Sequence, residues 1–180
     1  MKITKRDNIL QIDDARIVYR NFSGAAGKFN QNGERSFSVV IPEECYDELE
    51  KDGWHIKRKP PVEDGEEPFN TLPVKVKFME GRKPTIYISD GETTRQLNED
   101  MVGMIDELNI VSVDMDIRPY HWEMGANSGT TAYLQSILVT FAPPKVEGME
   151  TSPFGLGETA QRPLAVTIIA SPFFTRYDQV

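Results

Sequence analysis

"VSVDMDIRPYHW", residues 111–122, alternates apolar residues with charged and aromatic ones. This two-residue period predicts a β-strand with one face in a core and the other toward solvent. The predicted core row comprises Val113, Met115 and Ile117, and the opposite row comprises Asp114, Asp116, Arg118, Tyr120 and Trp122. Aromatic rings and an arginine therefore share the solvent-side row of this strand.

Three other segments predict strands that could pair with it. "LPVKVKF" (72–78) alternates valines with Lys75 and Lys77, and "PTIYIS" (84–89) places Tyr87 opposite two isoleucines. "AYLQSILVTF" (132–141) is apolar on both faces, which is typical of a central or barrel strand. The preceding "EMGANSGTT" (123–131) predicts a loop.

A hairpin and two helices complete the predicted elements. Residues 16–23 and 36–41 predict paired strands, because "NQNGER" between them has strong turn chemistry. "PEECYDELEKDG" (42–53) predicts a short helix that begins with proline and acids, and "LNEDMVGMIDELNI" (97–110) a second one with Asn98 as N-cap.

These elements predict a mainly β domain at residues 1–142, a small antiparallel barrel or curled sheet with two short helices. Strands and helices do not alternate, which argues against a doubly wound sheet. Residues 143–180 predict a linker rich in proline and glycine, followed by an apolar C-terminal arm, "LAVTIIASPFF". The arm either adds a strand to its own sheet or docks on a neighbouring subunit.

Composition bounds the function. The 180 residues include 39% apolar residues, enough for a globular core, and the single cysteine, Cys45, excludes an intramolecular disulfide. The N-terminus has no long apolar stretch, so we expect a cytoplasmic protein without a membrane partner. The net charge of −8 argues against a protein that coats duplex DNA, unless the acids lie on helices that face away from a positive surface.

Catalytic and metal-binding signatures are weak. His55, His121 and Cys45 have no ligand-like spacing, and no nucleophile elbow or phosphate-binding loop is present, so the sequence indicates neither catalysis nor a metal or other cofactor. Asp114 and Asp116 leave open a magnesium-dependent nuclease, although such acids are more often a solvated strand face.

Binding of a single nucleic acid strand fits the pattern better. It requires cations along the backbone and exposed rings on which unpaired bases stack. Residues with these properties fall on the solvent side of the predicted strands: Lys75, Lys77, Tyr87, Arg118, Tyr120 and Trp122. Lys57 is a further candidate, although "KRK" (57–59) could be a solvated strand end and Trp122 could plug the barrel.

Several of these motifs, in order, resemble phage-encoded single-stranded DNA-binding proteins. The resemblance spans residues 12–142 and rests on "RNFSGAAGKFNQNGERSFSVVI", "DGWHIKRK", "LPVKVKF", "KPTIYIS", "LNEDMVGMIDELNIVSVDMDIRPYHWEM" and "SGTTAYLQSILVTF". It implies a five-stranded OB-fold barrel that binds DNA strands during phage replication or recombination, without catalysis. Such proteins often end in a flexible acidic tail, whereas "ASPFFTRYDQV" is nearly neutral, which favours an ordered or subunit-docking arm.

The resemblance also implies a contact set. Carried over to matching positions, it comprises Arg20, Asn21, Phe22, Lys28, Phe29, Arg35, Arg118, Tyr120 and Trp122. Residues 19–37 would then form one wall of a groove, with Arg20, Lys28 and Arg35 on phosphates and Phe22 or Phe29 on a base. Alternatively, the phenylalanines are core or loop anchors and the glycines of this segment only satisfy turn geometry.

The expected partner is single-stranded DNA, with self-association through the arm and replication or recombination proteins as further partners. The rival interpretation is a phage structural or assembly protein that oligomerises through its arm. RNA stays open as a ligand, because stacking platforms accept any base and only contacts to the 2′-hydroxyl discriminate.

Overall fold

The computed structural model describes residues 1–28, 30–60 and 67–144. The ten strands are β1 (Lys2–Arg6), β2 (Ile9–Asp13), β3 (Ile17–Asn21), β4 (Arg35–Ile41), β5 (Lys57–Lys59), β6 (Phe69–Val76), β7 (Thr85–Ser89), β8 (Thr94–Leu97), β9 (Ile110–Met124) and β10 (Asn127–Phe141). The helices are α1 (Glu43–Lys51) and a 3₁₀ helix (Val102–Glu107).

The strands form one curled sheet in the order β1-β2-β9-β10-β6-β4-β3. Most pairs are antiparallel, but β10 runs parallel to β6 and, further along, to β7. β5 pairs with β6, and β8 pairs with β7. The mainly β, OB-like fold class is confirmed, although the sheet does not close into a complete barrel.

The core lies inside the curl of the sheet. Val113, Met115 and Ile117 are fully buried, as the alternating pattern of β9 predicts. Phe22 and Phe37 stack there with ring centroids 5.1 Å apart, both at 1% exposure or less. The rows that face away from this core are left to bind solvent or a ligand.

The first helix follows the prediction and the second differs from it. α1 begins after Pro42 with Glu43 and Glu44 in its first turn, and it buries Leu49. The second helix is a 3₁₀ helix with Met101 at its N-cap position. Asn98 still caps a turn, because its Oδ1 accepts a 3.1 Å hydrogen bond from the Met101 N–H.

The prediction of a loop at residues 123–131 is wrong. β9 and β10 continue almost to the hairpin tip, and only two residues, 125 and 126, separate them. Gly125, with φ of 60°, adopts the left-handed conformation that such a tight turn requires. The two long strands therefore carry residues 118–122 on regular, paired backbone. The predicted C-terminal arm falls outside the described residues, which end at 144.

Candidate nucleic-acid interface

The strand register brings cations and rings from four strands onto one outer face of the sheet. On β9 and β10, Arg118 pairs with Tyr133, and Tyr133 in turn pairs with Lys75 of β6. Two residues further along β9, Tyr120 and Trp122 lie in the same row. We call this surface the cationic face; it comprises Lys57, Lys75, Lys77, Arg118, Tyr120, Trp122 and Tyr133.

Tyr133 was missed at the sequence level. Residues 132–141 of β10 carry apolar side chains on both faces, so their pattern does not mark Tyr133 as a surface ring. In the sheet it packs edge to face against Tyr120 with centroids 6.0 Å apart, and Lys77 Nζ lies 6.0 Å from its centroid. Tyr120 itself is 52% exposed, so the pair offers ring surface to solvent.

Trp122 rests on the backbone of β10. It pairs with Gly129, and a β-carbon placed at Gly129 would lie 2.8 Å from Trp122 Cζ2. The absence of a side chain at Gly129 therefore lets the indole ring lie flat across the strand. Trp122 is half-buried.

An acid reaches two lysines of the cationic face. The Glu34 carboxylate lies 3.6 Å from Lys75 Nζ and 3.8 Å from Lys77 Nζ. Both lysine side chains keep about two fifths of their surface exposed, so these ion pairs are loose and solvated. Glu34 thus holds a negative charge where two lysines converge.

Many of the remaining acids have partners elsewhere. On α1, Glu43 pairs with Arg58, and Glu48 with Lys5. Hydrogen bonds to Asp52 and Glu48 raise the pKa of Lys5 above its usual value. The acidic helix is therefore partly neutralised by its own neighbours, which reduces its conflict with an anionic ligand on the cationic face.

The two aspartates of the nuclease alternative make structural hydrogen bonds. Asp114 Oδ1 accepts the Asp14 N–H at 2.8 Å, and Asp116 Oδ2 accepts the Ser136 hydroxyl at 2.9 Å. Across the described ranges, no cluster of three or more His, Cys, Asp or Glu side chains could hold a metal ion.

The loop after β3 is built differently from its predicted role. Arg20 donates to the carbonyls of Ile105 (3.1 Å) and Leu108 (2.9 Å), so its guanidinium fastens the 3₁₀ helix to β3. Asn21 accepts the Ala25 N–H at 2.8 Å and donates to the Ala25 carbonyl, which folds the loop back on itself. Both residues hold the loop in shape.

The predicted role of Phe22 as a base-stacking ring is wrong. Its ring is fully buried against Phe37, so it cannot stack on a base, and the core alternative holds for both rings. Phe29 lies outside the described residues, and Lys28 is exposed. Gly24, with φ of 70°, would place a β-carbon 2.7 Å from the Gly33 carbonyl oxygen, so this glycine allows the two sides of the loop to meet.

Arg35 lies at the border of the cationic face. It shares the core-side row of β4 with Phe37, and its guanidinium binds Glu99 at 2.9 Å and lies 5.5 Å from the Phe78 ring centroid. The nearby surface cavity is also lined by Lys75 and Lys77. Arg35 is therefore adjacent to the lysines but engaged by an acid.

Tyr87 lies apart from the other predicted residues. Tyr87 pairs with Leu138 of β10, and Leu138 pairs on its other side with Asp114 of β9. Leu138 lies five positions beyond Tyr133 on β10, or roughly 17 Å. Tyr87 thus neighbours the acidic end of the outer surface, whereas Lys57 lines the same cavity as Lys75 and Trp122.

Tyr19 is an exposed ring that the sequence did not single out. It is 55% exposed, has φ of 53°, and lies where the register of β3 with β4 shifts. The Lys59 ammonium lies 5.5 Å from its ring centroid. An irregular strand position of this kind breaks the two-residue period, so alternation could not have revealed it.

A curled sheet with cations and exposed rings on one face is the arrangement expected of proteins that bind single nucleic acid strands. The chain matches the family described as "Putative phage ssDNA-binding domain" across residues 1–155. It therefore belongs to this family of phage single-stranded DNA-binding domains. Membership favours strand binding over the assembly-protein interpretation. No curated protein sequence matches the chain.

Solved structures of phage proteins resemble it in fold. The single-stranded DNA-binding protein from bacteriophage Enc34 superposes with a TM-score of 0.50 at 14% identity, covering 82% of this chain and 95% of that one. Its complex with ssDNA gives 0.49 at 13%, covering 76% and 88%. The single-stranded DNA-binding protein gp2.5 of bacteriophage T7 gives 0.38 at 12%, covering 84% and 98%. The first of these likenesses shows a shared fold. No helix in the described part of this chain is long and apolar enough to cross a membrane.

Proposed function

We propose that the protein coats unpaired DNA strands through the cationic face during phage replication or recombination, in the host cytoplasm and without catalysis. The observation that carries the proposal is the convergence of Lys57, Lys75, Lys77 and Arg118 with three aromatic rings on one side of the sheet. The family to which the chain belongs supports it.

The chemistry of the cationic face matches a single strand better than a duplex. Lysine and arginine neutralise phosphates, while Tyr120, Tyr133 and Trp122 offer ring surface to bases that are not stacked on a complementary strand. A duplex hides its base faces, so it can use only the charges. The molecule as a whole is anionic, which weakens such nonspecific binding.

Fluorescence polarisation with labelled oligo-dT, set against a duplex of equal length, tests the proposal. We expect oligo-dT to bind more tightly, and Lys75→Ala to weaken it by about five- to tenfold through loss of a phosphate contact. Lys2→Ala is the matched control, because it removes the same charge from β1, which is separated from β10 by β2 and β9.

The contrary outcomes are distinct. Equal losses for Lys75→Ala and Lys2→Ala would mean that net charge, not this face, governs binding. Absence of oligo-dT binding at low salt would contradict the function itself. Magnesium-dependent shortening of the labelled strand would contradict the noncatalytic role, and equal affinity for oligo-dT and oligo-U would extend the ligand to RNA.

A further inference from the structure

The cationic face contains a cavity formed by a gap between strands. One edge of β6 is shared by two partners: Phe69–Thr71 pair with β5, and Val74 and Lys75 pair with β10. Within the described strands, neither register includes Leu72 or Pro73. We call this space the β6 gap; its volume is about 230 Å³.

Pro73 explains why the sheet opens here. Proline has no N–H, so β6 cannot donate a hydrogen bond to β10 at this position. The parallel pairing with β10 begins only at the next residue, Val74. The opening is thus encoded by the sequence and built into a rigid sheet.

The lining of the β6 gap combines apolar surface with charge at its border. Leu72 and Pro73 line the cavity along β6, and Trp122 lines it from β9. Lys57, Lys75 and Thr131 are also among the lining residues. Trp122 is kept in place by its contact with Gly129.

We propose that the β6 gap receives one unpaired nucleobase, inserted between β5 and β10 with Trp122 as a wall. This inference rests on the proposed function and adds a subsite to it. A base has apolar faces and a polar edge, which match the proline and indole surfaces and the Thr131 hydroxyl. Lys57 and Lys75 are placed to bind the phosphates of the nucleotide whose base enters.

Insertion into a cavity and stacking on an open ring predict opposite effects of base size on affinity. An otherwise abasic twelve-nucleotide strand carries one central thymine, one central pyrene or no base. Insertion predicts that thymine tightens binding by about tenfold over the base-free strand. Pyrene has a larger ring area than a nucleobase and should gain less, because the walls of the gap limit its entry, whereas on an open ring the gain should grow with ring area. Equal or tighter binding of the pyrene strand would show stacking on an open ring and overturn the cavity.

A filled cavity gives the second readout. We expect Thr131→Phe to abolish the gain from the single thymine, measured against the fully abasic strand with the same variant. Thr140→Phe, on the same face of the same strand, is the matched control. Thymine gains that survive Thr131→Phe overturn the subsite alone, whereas failure of the wild-type protein to bind twelve thymidines overturns the proposed function.

Discussion

At the scale of single residues, Glu34 sets the charge that a DNA phosphate meets. Its carboxylate lies within 4 Å of both Lys75 and Lys77. A phosphate approaching these lysines must displace the carboxylate or share them with it. Because the three side chains are solvated, displacement costs little, about 0–1 kcal/mol. Glu34 therefore tempers affinity without blocking the face.

Removing this competitor gives a residue-scale prediction. Glu34→Gln should tighten oligo-dT binding by about two- to fivefold, because both lysines become fully available to phosphate. Polarisation titrations at matched salt measure it. Glu44→Gln, which makes the same change of charge on α1, should have a smaller effect. Equal gains for both variants would show that only total charge matters.

At the scale of elements, the 3₁₀ helix is fastened to the end of β3 from both sides. The Asp106 carboxylate accepts the N–H groups of Phe22 (2.8 Å) and Ser23 (2.9 Å), and Arg20 bonds the carbonyls at the end of the helix. A β-carbon at Gly103 would lie 3.1 Å from Ser23 Cα, so the two segments touch. This fastening covers the buried Phe22 ring.

The fastening predicts a loss of stability without loss of binding. Asp106→Ala leaves two backbone donors without their acceptor and should lower the free energy of unfolding by about 1–3 kcal/mol. Chemical denaturation measures it, with the exposed neighbour variant Glu107→Ala as control. Oligo-dT affinity should be unchanged. A large loss of affinity in a variant that still folds would show that the loop at residues 19–37 contributes to DNA binding.

At the scale of the whole molecule, a chain of net charge −8 keeps four cations on one face. The salt dependence of DNA binding should therefore reflect the cations of this face and not the net charge of the molecule. If each cation contacts one phosphate, the slope of log K against log salt is about −3 for a single strand. Arg118→Ala should reduce its magnitude by about 0.7, because one contact disappears.

Tyr120→Ala provides the counterpart to this measurement. It should weaken binding by about 1–3 kcal/mol, the worth of a stacked base, while the salt slope stays constant. Titrations over a series of salt concentrations separate the two effects. A slope that falls equally in both variants would mean that Tyr120 orders the cations and does not stack on a base.

The sequence predicted what short-range periodicity controls. Alternation along β9 and β6 placed Arg118, Tyr120 and Lys75 on the correct side, because burial of one sheet face imposes a period of two. The role of Arg20 was inaccessible, because its partners Ile105 and Leu108 lie more than eighty residues away in sequence. Tyr133 was missed for a different reason: residues 132–141 carry apolar side chains on both faces, so a surface ring does not stand out among them.

The irregular backbone at Tyr19 also bears on how copies of the protein coexist. β3 is the last strand of the sheet, and its pairing with β4 shifts between Val18 and Asn21. Copies of the protein bound side by side along DNA bring their identical edge strands close together. A regular, straight edge strand could then pair with the edge strand of a neighbouring copy. The register shift at Tyr19 interrupts the regular row of backbone hydrogen-bonding groups on β3, which disfavours sheet-to-sheet aggregation of copies crowded along DNA.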